Sequence, residues 1–265
     1  MVARAGREDP GALAREAAAA LAAFSSEPAG LLTACRALVG RQPTCGPVWW
    51  LAARVLAAAD PSHEAWVAAD ELYSDPTSAI LAGALPDEVT VVALGWPDQV
   101  AGALASRGDV RALVVDALDE GGPLVNSLRR RDGDAELVPE SGMGAAVRAA
   151  DLVLLEARAL GGATDETGAG FVALAGSAAA AATARQSGVP VWAVAGTGRL
   201  LPPSLWEALV ERLLGADLPW DSEEEIVPLA WVDAVAGPGG VESVEEALAG
   251  PSCPPAPELA RFAHQ

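Results

Sequence analysis

Residues 89–117 read VTVVALGWPDQVAGALASRGDVRALVVDA. VTVVALG (89–95) is an unbroken apolar run closed by glycine, DQVAGALASRG (98–108) has helical spacing, and VRALVVDA (110–117) is a second apolar run. Unbroken apolar strands around a helix mark a parallel sheet covered on both faces, because a strand with one wet face would alternate. The pattern continues outward. PLVNSLRRRDG (123–133) reads as helix, AELVPE (135–140) as strand, MGAAVRAA (143–150) as helix and DLVLLEA (151–157) as strand. GSAAAAATARQSG (176–188) and VPVWAVAG (189–196) give a further helix and strand. Right-handed crossovers put the C-terminal ends of all these strands on one edge. That edge should hold Gly95-Trp96-Pro97-Asp98, Asp116, Glu140-Ser141, Glu156-Ala157-Arg158 and Gly196-Thr197, and ligands of open α/β sheets bind at such edges.

Before this unit the texture is helical. PGALAREAAAALAAF, PAGLLTACRALV, PVWWLAARVLAAAD, SHEAWVAADELY and PTSAILAGAL predict four or five helices over residues 10–85, several opening at a proline, as a first helical turn allows. Past residue 200, PPSLWEALVERLLG is one more helix, followed by an acidic run, a short apolar piece and Gly-Pro-Gly-Gly. The expected organisation is a helical domain over 1–85, a Rossmann-like α/β domain over 86–250 and a Pro-rich tail over 251–265, disordered or loosely docked.

Composition excludes several chemistries. The net charge is −19, and the only basic cluster, Arg129-Arg130-Arg131, suits a helix C-terminus, so direct nucleic-acid binding is not expected. All 17 basic residues other than histidine are arginine, which removes Schiff-base and P-loop lysine chemistry. His63 and His264 are the only histidines, and His63, in DPSHEAW, reads as helix surface. Any reaction must then run on Asp, Glu, Arg, Ser, Thr, Tyr73 or Cys. Cys35, Cys45 and Cys253 match neither a zinc spacing nor a disulfide framework, so reduced thiols and no metal or cofactor are expected. No apolar run reaches the ~18 residues of a membrane span, and the first residues lack the leucine-rich segment of a signal peptide. A soluble, cytoplasmic protein is expected. No G-x-G-x-x-G follows the first strand, and GGATDETGAG does not open into a helix.

The order of pieces resembles the family that joins the α, β and δ subunits of translation initiation factor 2B with methylthioribose-1-phosphate isomerase and ribose-1,5-bisphosphate isomerase. RQPTCGPVWWLAARVL resembles the family's R-P-T-x-x-x-L segment, and VTVVALGWPDQVAGAL its first strand and helix. LVPESGMGAAVRAADLVLLEARAL resembles the strand, short helix and Gly-Ala-Asp strand that follow. FVALAGSAAAAATARQSGVPVWAVAG and EEIVPLAWVDAVAGPGGV resemble two further family segments. The resemblance spans about residues 35–245. It implies a helical domain ahead of a Rossmann-like sheet of the NagB/RpiA/CoA-transferase type, a homodimer, and a phosphorylated sugar or nucleotide as ligand.

The family isomerases imply a catalytic cysteine after the first strand and an aspartate in Gly-Ala-Asp. Here those positions fall at Gly95 and Arg158, and the family's Asn-Lys falls on Ala173-Leu174. Gln42 takes the arginine position of Arg-Pro-Thr, with Arg41 adjacent, and Asp116-Ala117-Leu118-Asp119 replaces Glu-x-Arg-Pro. Cys45 could stand in for the lost cysteine only if the helical part reached the cleft. What remains as acid/base candidates is Asp116 and Glu156, with Glu140 nearby. Gly176-Ser177 opens a helix whose free N–H groups could take a phosphate. Asp98 reads as the N-cap of its own helix. Arg158 could hold a phosphate or carboxylate, or pair with Glu156, Asp165 or Glu166. Gly95, Arg158, Gly176, Ser177 and Arg41 are therefore the ligand-binding candidates. Three functions fit: a non-catalytic sensing or regulatory protein, a pseudoenzyme of the family; an active aldose–ketose isomerase; and a protein–protein interaction subunit.

Overall fold

Prolines at helix starts set the first third of the chain in the computed structural model, which describes residues 10–24, 27–162, 168–214 and 218–261. Five helices follow one another: α1 (Pro10–Ala22), α2 (Pro28–Arg41), α3 (Gly46–Ala57), α4 (Pro61–Tyr73) and α5 (Thr77–Ala84). Pro28, Pro47 and Pro61 sit in first turns, where the missing N–H is no loss. Asp60 caps α4 by accepting from the His63 N–H at 3.1 Å, and His63 itself is exposed, as its sequence context predicts. α1 lies on α4 through alanines, Ala14, Ala17 and Ala18 against Ala65, Ala68 and Ala69, all buried, because small side chains let two helices approach closely. α3 is apolar nearly all round and is correspondingly buried from Val48 to Ala53.

The predicted alternation follows as β1 (Thr90–Leu94), α6 (Asp98–Ala105), β2 (Arg111–Val115), α7 (Gly121–Arg129), β3 (Asp134–Val138), α8 (Met143–Ala149) and β4 (Leu152–Glu156). The remaining elements are β5 (Ala159–Gly161), β6 (Gly170–Leu174), α9 (Ser177–Ser187), β7 (Val191–Val194), β8 (Leu200–Leu201) and α10 (Pro203–Leu214), then β9 (Glu224–Pro228), β10 (Ala234–Gly237), β11 (Gly240–Glu242), α11 (Val244–Ala249) and α12 (Pro257–Ala260). The main sheet has the order β11-β10-β7-β4-β1-β2-β3 and is parallel except for β11, which folds back on β10. The chain is thus α/β, with a helical N-terminal region and a mostly parallel sheet.

A second sheet, β8-β5-β6-β9, has no counterpart in the predicted elements. Its strands are two to five residues long and its β9 begins with two glutamates, which read as part of an acidic run. This sheet is the middle layer. Ala159, Val172 and Leu201 face the core of α1–α4, while Leu160, Phe171, Ala173 and Val227 face the core beneath the main sheet. On the other side of the main sheet, α5, α6 and α7 cover Val91, Ala93, Val114 and Leu154. Gly161 is required at its position because a Cβ there would lie 2.6 Å from Trp206.

The tail corrects the expectation of a loose C-terminus. Cys253, Ala256 and Leu259 are buried in the helical core beside α10, the Trp50 indole N–H donates to Ser252 Oγ, and Arg36 donates to the Glu258 carbonyl. The helical core is therefore completed by residues from both ends of the chain.

Candidate functional site

The C-terminal edge of the main sheet gathers the segments that the sequence places there. The strands β1, β2, β3, β4 and β7 each deliver their last residue into a loop leading to a helix or to the second sheet. After β1, Gly95 adopts φ +61°, and a Cβ at that position would come within 2.8 Å of Leu174 and 3.3 Å of the Ala117 carbonyl. After β2, Leu118 and Asp119 both have positive φ, 54° and 59°, an uncommon conformation for residues with side chains, so the packing around this loop must hold it. Asp116 Oδ1 accepts from the Gly122 N–H at 3.2 Å, at the start of α7.

The last residue of β4 is Glu156, and its surroundings decide the site. Oε2 accepts from the Gln99 N–H at 2.7 Å and from the Val100 N–H at 3.3 Å, both in the first turn of α6. Oε1 accepts from Arg199 Nη1 at 2.8 Å. The two side chains are 10% and 7% exposed. Asp98 is therefore not the cap of α6. It is the first helical residue, preceded by Pro97, and Glu156 supplies the carboxylate to that turn from another strand. Burial opposes the charge on Arg199, but the Coulombic pull and hydrogen bond of Glu156, with a smaller contribution from Asp75, hold its pKa above the ordinary value.

Arg158 pairs with Glu224 of β9, Nε to Oε1 at 2.7 Å, rather than with Glu156. Asp165 and Glu166 lie outside the described residues. The predicted helix start at Gly176-Ser177 is present, with Gly176 left-handed at φ +96° and Ser177 buried. Its Ala178 N–H donates to Glu225 Oε1 at 2.9 Å, so here too a carboxylate of the chain meets the helix terminus. Arg41 ends α2, is exposed, and makes no hydrogen bond or ion pair with Glu156, Arg158 or Ser177. Glu140 opens a single turn after β3.

The helical part does reach this edge. The Gly46 N–H donates to the Arg158 carbonyl at 3.0 Å, and a Cβ on Gly46 would lie 2.7 Å from that oxygen. Cys45, immediately before it, is half-buried. Burial pushes its thiol up, while a hydrogen bond from the Val48 backbone and the charges of Arg158 and Arg199 pull the other way without reversing the shift. A second link is Asp75, between α4 and α5. It accepts from Thr77 N–H and Oγ1, from Gln99 Nε2 at 3.0 Å and from the Thr197 N–H at 2.9 Å. Gly196 has no room for a Cβ against the Asp75 carboxylate.

The sequence reading misses Arg199, Asp75, Gln99, Glu224 and Glu225. Arg199 carried a usable signal, as a lone cation three residues beyond Gly196 at the same edge. The glutamates of DSEEE carried none, because only the second sheet brings them to α9 and Arg158. No group of three or more His, Cys, Asp or Glu placed to hold a metal ion occurs among the described residues.

No protein-family model and no curated protein matches the sequence. Solved structures match over nearly all of it. The translation initiation factor eIF-2B of Pyrococcus horikoshii OT3 superposes with a TM-score of 0.74 at 13% identity, over 92% of this chain and 95% of that chain. A chain of the tetrameric eIF2B-beta2-delta2 complex of C. thermophilum gives 0.68 at 16% identity, over 90% and 85%. The 5-methylthioribose 1-phosphate isomerase of Pyrococcus horikoshii OT3 gives 0.58 at 15% identity, over 96% and 82%. The protein thus carries the fold shared by the eIF2B subunits and 5-methylthioribose 1-phosphate isomerase, as its sequence motifs imply.

Proposed function

We propose that this chain is a non-catalytic protein of that fold that works by association in the cytoplasm, as a homodimer or as a regulatory subunit of a larger assembly. The observation that carries the reading is the seat of Glu156, whose carboxylate meets the first turn of α6 and a buried arginine where a phosphate would otherwise be drawn. Glu225 meets α9 in the same way, and Arg158 is neutralised by Glu224. Asp116 and Glu156, the two acid/base candidates, are both engaged at helix starts. The positions matching the isomerases' cysteine and aspartate hold Gly95 and Arg158, which cannot exchange protons as those groups do. Three unpaired thiols fit a reducing compartment. Leu214, Leu218 and Trp220, exposed at and beyond the end of α10, offer apolar surface for a partner.

The test is a thermal-shift titration with ribose 1,5-bisphosphate, methylthioribose 1-phosphate and inorganic phosphate, with product analysis and light scattering alongside. The expected result is no saturable shift, no isomerised product, and a mass twice that of the chain or higher. A saturable shift with a sugar phosphate, or turnover, overturns the reading in favour of sensing or of isomerisation.

A further inference from the structure

Two backbone amides of α6 and the Arg199 guanidinium converge on one point, and the chain itself occupies that point with Glu156. The donors do not depend on this occupant for their placement. Arg199 Nη1 also donates to the Ala157 carbonyl, a backbone acceptor. Gln99 is held by its side chain, which donates to Asp75 and accepts from Ser78 Oγ at 2.8 Å. Thr197, two residues before Arg199, is held by Asp75 as well. A cradle whose donors are anchored elsewhere keeps its geometry when its occupant is removed. Arg199, 7% exposed with Glu156 in place, would lose its carboxylate partner, and a cation deprived of its buried partner favours uptake of an anion.

We propose that the amides of Gln99 and Val100 and the Arg199 guanidinium form an oxyanion site for a small carboxylate, for which Glu156 is the tethered ligand. Truncating Glu156 to alanine removes a CH2–COO⁻ fragment, which acetate replaces atom for atom and formate replaces without its methyl. The inference rests on the reading of Glu156 as an occupant rather than an acid/base group, and the two fail separately. A sugar-phosphate shift in the unaltered protein overturns that function, whereas the experiment below concerns the vacated site.

Thermal unfolding of Glu156→Ala is measured in acetate, formate and chloride at equal ionic strength, beside Glu156→Gln and the unaltered protein. The expected result is a lowered melting temperature for Glu156→Ala, with at least half of the loss recovered saturably by acetate or formate and none by chloride. Glu156→Gln, whose side chain still fills the space, and the unaltered protein should respond to acetate only as they do to chloride. Equal effects of acetate and chloride on Glu156→Ala overturn the proposal. So does a recovery in Glu156→Gln as large as in Glu156→Ala, or a Glu156→Ala protein that stays unfolded in acetate as in chloride.

Discussion

Arg199 Nη1 stands 2.8 Å from Glu156 Oε1, and this buried pair closes the edge of the main sheet. Arg199 comes from the loop after β7, and Glu156 is the last residue of β4. Replacing Arg199 with methionine leaves the carboxylate without its cation, and removal of one partner of a buried pair costs about 3–5 kcal/mol. Urea unfolding of Arg199→Met should show a loss of that size. A midpoint unchanged from the parent would mean that the pair is not sequestered from water.

Asp75 ties the helical region to the sheet through Gln99 and Thr197. Hydrogen bonds to a charged acceptor contribute about 1.5–3 kcal/mol each, and they are not additive, so Asp75→Ala should destabilise by roughly 2–4 kcal/mol. Hydrogen exchange gives the local readout, with the Thr197 amide losing protection ahead of the strand amides. Uniform loss across the sheet would instead point to a global role.

Gly161 and Gly162 are neighbours in sequence with opposite tolerances. An added methyl at Gly161 meets Trp206 at 2.6 Å, whereas at Gly162 it meets Leu248 at 3.7 Å. Gly161→Ala should cost about 1–3 kcal/mol by overpacking, and Gly162→Ala should stay within about 0.5 kcal/mol. Chemical denaturation of the two variants side by side checks this.

Burial pushes the thiols of Cys35 and Cys253 up to about 12. Folding raises these values above the ordinary thiol near 8.5, so their contribution to stability is intact below about pH 8.5 and declines as the pH rises toward the folded values. The alkaline limb of stability should therefore flatten in Cys35→Ala and in Cys253→Ala. At neutral pH the native protein should react with a thiol reagent at Cys45 alone, slowly, and at three positions once unfolded.

On the acid side, the Arg107 guanidinium beside Asp109, with the Glu88 N–H, holds that carboxyl well below the usual range. A depressed folded value gives stability that is present above the unfolded value near 3.9 and is lost as the pH falls through the folded one. Asp109→Asn should thus narrow the difference in melting temperature between neutral and acidic solution. Because the pair is on the surface, added salt should weaken the effect.

Much of the fold was legible because local rules govern it. Proline and aspartate mark the start of α4, and unbroken apolar runs mark β1, β2, β4 and β7 as strands covered on both sides. The second sheet was not legible, since β5 and β8 are three and two residues long and carry no period to read. Glu156 and Arg158 were placed at the edge of the sheet, but their partners were not foreseen. Glu156 took Arg199 and the α6 amides because β7 and β1 flank β4 in the main sheet, and Arg158 took Glu224 because β9 returns along β6.

The sequence by itself determined that this chain builds a parallel sheet after a set of helices, that it has no lysine for covalent chemistry, and that its edge holds arginine where an aspartate would be needed. These follow from residue type and spacing, which act over a few residues. Only the tertiary structure decided which charges meet, because a carboxylate seeks the nearest donor in space, and the strands beside β4 and the return of β9 along β6 set what is near. That is how "DLVLLEARALGG", residues 151–162, came to supply a helix with its anion.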